Sequence, residues 1–72
     1  MNEKEKLELM KHSYSILKDL VNDINKRMAD AEEGIKDGNR NLIIGSLLGI
    51  DKTSEQIKNV FAVMEYLHHN KA

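Results

Sequence analysis

An apolar residue recurs at steps of three and four through the first half of this chain: Leu7, Met10, Tyr14, Leu17, Val21, Ile24, Met28, Ala31 and Ile35. No other feature constrains the fold as much. Leu7, Tyr14, Val21, Met28 and Ile35 read as heptad a positions, and Met10, Leu17, Ile24 and Ala31 as d positions. No proline interrupts them, so the stretch reads as one long amphipathic helix with a coiled-coil seam. A helix of this kind cannot hide its stripe alone. The chain must be a hairpin, an oligomer or one half of a complex.

The second half repeats the period. Ile43, Leu47, Ile50, Ser54, Ile57, Phe61, Met64 and His68 follow at steps of four and three. Between the two halves, Lys36-Asp37-Gly38-Asn39 is a turn signal, because Gly38 can take the left-handed conformation that ends a helix. Asn2, with Glu5 three residues on, suits the start of helix A, and Asn39 or Asn41 can cap helix B. The expected fold is all-α: a single antiparallel two-helix hairpin spanning 1–72. Helix A covers about 3–37, the turn 36–41 and helix B about 41–70, each helix roughly 45 Å long at 1.5 Å per residue. The expected layers pair Ile35 with Ile43, Ala31 with Leu47, Ile24 with Ser54, Leu17 with Phe61 and Met10 with His68. The polar run Asp51–Gln56, where Thr53 and Gln56 could form a capping box, leaves open a break in helix B near 51–54.

Size and charge narrow the function. A chain of 72 residues buries only about 60% of its unfolded surface, and such chains often lean on a staple or a partner. There is no cysteine, so neither a disulfide nor a thiolate metal site can serve, and the cytoplasm is the expected compartment. Lys plus Arg number 11 against 12 Asp plus Glu, without the basic excess of a nucleic-acid binder. The charged start Met1–Lys6 lacks an apolar core, so no signal peptide is expected there. The apolar run Leu42–Ile50 falls short of the ~20 residues of a membrane span.

Candidate chemistry fails the spacing test. His68 and His69 are adjacent, so on a helix they point about 100° apart and cannot chelate one ion. With Lys71 they suit the negative end of helix B. Asp30, Glu32 and Glu33 form an acidic cluster without complementary ligands. Ser13, Ser15, Ser46 and Ser54 lack a triad, and the glycines make no phosphate loop. No enzymatic activity, metal or cofactor is expected.

Apolar surface outside the a/d seam is the better signal. Leu9 and Ile16 (c) and Leu20 (g) lie outside it on helix A. With Leu47 as a, so do Val60 and Leu67 (g) and Val63 (c) on helix B. In an antiparallel pair the two g edges share a side, so these residues are expected to gather as a partner-binding site near the open end. Gly45 and Gly49, four apart, could add a flat strip for a second backbone.

Several segments carry a resemblance: Leu7-Glu8-Leu9-Met10-Lys11-His12-Ser13, Leu47-Leu48, Ile50-Asp51 and Ile57-Lys58-Asn59-Val60-Phe61. With the size and the hairpin pattern, they make the chain similar to the small E-type co-chaperones of bacterial type III secretion systems (YscE/EscE-like). The resemblance implies a cytoplasmic protein that binds a helical-repeat chaperone and, through it, the needle subunit before export. It implies no catalytic residue. Asn39–Ile44 and Thr53-Ser54 also look like small enterobacterial biofilm and two-component connector proteins. On that alternative the chain is a homodimeric regulator.

Overall fold

The computed structural model describes Met1–Asn70; Lys71 lies outside the described residues. Its elements are α1 (Glu3–Lys36), α2 (Arg40–Leu47) and α3 (Ile50–His69). The fold is an all-α hairpin whose second arm bends between α2 and α3. Its Cα extents of 55 × 16 × 10 Å describe a layer one helix thick.

Local chemistry explains the ends. The Asn2 side chain accepts a hydrogen bond from Glu5 N at 2.8 Å, and Asn39 accepts from Leu42 N at 3.0 Å. Both are N-caps that satisfy an orphan donor of the first turn. At the end of α1, Gly38 takes φ +65°. The amide of Asn39 then donates to Gly34 O and that of Gly38 to Ile35 O, the paired bonds of a Schellman ending.

The second arm is not the single helix expected over about 41–70: it breaks at Leu48–Gly49, and not near 51–54. Gly49 has φ +87°, a left-handed conformation that only glycine adopts cheaply. Thr53 is no cap: it is buried inside α3, and its hydroxyl donates to Asp23 at 3.2 Å. The break frees the Leu48 carbonyl, which accepts from Arg27 Nη1.

The seam also differs from the expected one, by one heptad position on both arms. The least exposed residues of α1 are Lys6, Met10, Ser13, Leu17, Leu20, Ile24, Arg27, Ala31 and Gly34, with Asp23 beside them. These are the d and g positions. Along α2 and α3 they are Ile43, Ser46, Ile50, Thr53, Ile57, Val60, Met64 and Leu67, again d and g, with Leu47 and Asn70 at the margin. The register slips with the rotation. Ile43 meets Gly34 instead of Ile35, since a Cβ added at Gly34 would lie 3.0 Å from Ile43 Cγ1. Thr53 stands opposite Asp23. The physical reason lies at the turn. Gly34 has no side chain, so α2 closes onto it, and this contact sets the rotation for the rest of α1. The polar g residues Lys6, Asp23's neighbour Arg27 and Thr53 then find their partners across the seam.

Candidate functional site

The rotation decides what is left outside. Leu20 and Val60 are half-buried and Leu67 is 5% exposed, so half of the expected partner patch belongs to the hairpin's own seam. Only Leu9, Ile16 and Val63 stay exposed, at 41–51%. They form a small apolar group on the c side near the open end. Gly45 and Gly49 make no shared strip either. Gly45 faces open space within α2, whereas Gly49 is the break itself.

The expected d residues keep their place in the seam, but the a residues of α1 form an exposed edge. Leu7, Tyr14, Val21, Met28 and Ile35 are all exposed, Ile35 at 65% and Tyr14 at 58%. Phe61 is 53% exposed, and Ser54 and His68 lie outside with it. In an antiparallel pair the two a edges share one side. The a edge of α1, from Leu7 to Ile35, is about 42 Å long at 1.5 Å per residue. It therefore runs along most of the 55 Å length of the layer. Two grooves lie along this side. One, near the turn, is lined by Met28, Ala31, Ile35, Ile43 and Leu47 with Asn25, Ala29 and Glu32. The other, near the open end, is lined by Met10, Phe61, Met64, Glu65, His68 and His69.

The width of the stripe explains this arrangement. Apolar residues at a and d plus part of g make a face three heptad positions wide, as in helices that pack inside a bundle. A single neighbouring helix covers only two of those positions. Among the described residues the buried apolar side chains are Ala31 and Leu67, and no large side chain is fully buried. The accessible surface of 5677 Å² is about 1,100 Å² above the ~4,600 Å² expected for a compact monomer of 8.3 kDa.

Polar chemistry is concentrated beside the break. Arg27 Nε donates to Asp23 Oδ2 at 2.9 Å, and Thr53 donates to the same oxygen. The hydrogen bond from Arg27 is the main cause that holds the Asp23 carboxyl below its ordinary value, against some opposing desolvation. Each polar group here has a structural partner within the hairpin. Elsewhere, the His68 and His69 rings meet edge-on at 5.0 Å. Among the described residues no group of three or more His, Asp or Glu is placed to hold a metal ion, and no helix is long and apolar enough to cross a membrane. Comparison with family models, with curated proteins and with solved structures finds no match to this chain.

Proposed function

We propose that this chain is a small protein-binding module whose docking face is the a edge. The observation that carries the reading is the exposure of Leu7, Tyr14, Val21, Met28, Ile35 and Phe61 on one side of a layer one helix thick. An exposed apolar row of that length marks an interface, and a helix-rich surface fits it best, because its own side chains repeat at helical spacing. No catalytic step is part of this reading.

Its specific form is a cytoplasmic co-chaperone of type III secretion, one that steadies a helical-repeat chaperone holding the needle subunit. The hairpin form, the small size and the resemblance of the Leu7–Ser13 and Ile57–Phe61 segments support it. The connector reading, a free-standing homodimer, draws support from the charge pattern beside the a edge, basic at Lys4, Lys11 and Lys18 and acidic at Glu32. Co-expression and pull-down from the native host, with identification of what co-purifies, tests the binding role. Tyr14→Asp and Phe61→Asp should each keep the helical circular dichroism and lose the co-purifying protein. Retention of that protein by both variants, with loss in Ile16→Asp instead, would move the interface to the c side.

A further inference from the structure

We infer that the a edge is covered by a second copy of this chain, stacked face to face about a two-fold axis at Val21, so that α1 lies antiparallel on α1. The inference rests on the a edge being a docking face and names its occupant; it takes the homodimeric form of that reading over the co-chaperone form, because one face cannot hold both.

Three observations converge on a second copy. First, the stripe is symmetric about its centre. A two-fold at Val21 sets Val21 on its own copy, Tyr14 on Met28 and Leu7 on Ile35, so every exposed a residue of α1 meets an apolar one. An isologous contact requires this self-complementarity. Second, the hairpin has surface to spare. It exposes about 1,100 Å² more than a compact monomer of its mass, which leaves room for the ~800 Å² per partner of a standard interface. Third, the charges beside the stripe select the orientation. The e row flanking the a edge of α1 reads Lys4, Lys11, Lys18, Asn25, Glu32, basic at the open end and acidic toward the turn. On α3 the same row reads Asp51, Lys58, Glu65.

These rows separate the possible stacks. In the antiparallel stack, Lys11 falls within a turn of Glu32 of the second copy and Lys58 within a turn of its Asp51, and symmetry makes each pair twice. Lys11 lies 3.6 Å from Glu8 on its own helix with both side chains 64% exposed, an open pairing that leaves its ammonium able to reach across. The rival stack lays each α1 over α3 of the other copy. There Lys11 meets Glu65, but Lys18 meets Lys58. A parallel pairing of α1 with α1 sets Lys4, Lys11 and Lys18 against themselves. Such rim charges add little affinity, yet they choose orientation and register.

The absence of cysteine makes the test clean. The native chain should sediment as a dimer. Val21→Cys should form a covalent dimer under mild oxidation, because its two copies meet at the axis. Tyr14→Cys and Met28→Cys should link to each other when mixed, and each far less to itself. Glu32→Lys should weaken the dimer at least several-fold, and Lys11→Glu in the same chain should restore it. A native chain that sediments as a monomer, or with any stoichiometry other than two, overturns the inference, while co-purification still judges the docking face separately. A dimer in which Tyr14→Cys links mainly to itself refutes the antiparallel stack. A dimer that links through Ile16→Cys and not through Val21→Cys removes both the inference and the a-edge reading.

Discussion

The two halves of the hairpin are held by different means. Toward the turn, the arms are pinned by particular contacts: the Schellman ending at Gly38, the close seat of Ile43 on Gly34, and the Asp23–Arg27–Thr53 group with the Leu48 carbonyl. Toward the open end, the arms rest on apolar burial around Leu67, with Lys6 donating to Asn70 O at 2.6 Å as the polar link. The turn half therefore specifies register and rotation. The open half supplies hydrophobic stability, but its Leu, Met and Val side chains would accept more than one rotation.

Substitutions break the comparison in order of size. Leu67→Ala strikes the open half, where 5% exposure makes it a core deletion that should cost about 2–5 kcal/mol. A chemical denaturation midpoint unchanged by this variant would refute burial at the open end. Gly34→Ala comes next. Its Cβ would meet the Ile43 amide at 3.0 Å and Asn39 O at 3.2 Å; both are backbone, so relief requires a backbone shift. The expected loss is about 1–3 kcal/mol, with altered cross-linking register between the arms. Gly49→Ala has room, since the nearest atoms are the Arg27 guanidinium at 3.7 Å and beyond. Its left-handed φ should still cost about 1–2 kcal/mol.

Gly45→Ala sharpens the contrast from the other side. This glycine lies inside α2 with nothing near its would-be Cβ, so alanine should stabilise by up to about 1 kcal/mol. Thermal melts of the glycine variants, run side by side, should give opposite signs for Gly45 and Gly49. The smallest effect belongs to Asp23, a half-exposed carboxylate in a surface pairing. Its folded-state pKa is depressed. Its contribution is therefore complete above the ordinary value of 3.8 and is lost as pH falls through the lower folded value. Asp23→Asn should flatten the acid limb of the stability curve slightly; an unchanged limb would deny the Arg27 and Thr53 bonds any part in stability.

The hairpin, the turn at Gly38 and the Asn2 cap were legible in the residues, and the second cap was legible as one of Asn39 and Asn41. The step pattern demands helices, and the caps follow from side-chain chemistry. The rotation was not legible. A stripe three positions wide contains two plausible two-position seams, and choosing by hydrophobicity selects a/d, since Ser13, Arg27 and Thr53 look like solvent-facing residues. What selects d/g is the missing side chain of Gly34, a contact between residues on two different helices. Leu20, Val60 and Leu67 were misassigned to the partner surface for this one reason. The site then follows by subtraction. Gly49 was visible as a residue but not as a break, because glycine inside a helix and glycine in a left-handed corner read alike in one dimension.

The seat of Ile43 on Gly34 also bears on how the chain reaches its fold. It joins residues close in sequence, across a turn already shaped by Gly38, so its loop-closure entropy is small. The Lys6–Asn70 bond spans 64 positions and becomes accessible only after the layers between have closed. Folding should therefore proceed as a zip from the turn outward, the fast route open to topologies rich in near-neighbour contacts. Opening runs the other way, from the two chain ends. Amide protons near Lys6 and Leu67 should exchange with solvent sooner than those near Ala31 and Ile43, so the open end is the first part of the layer to part and the last to close.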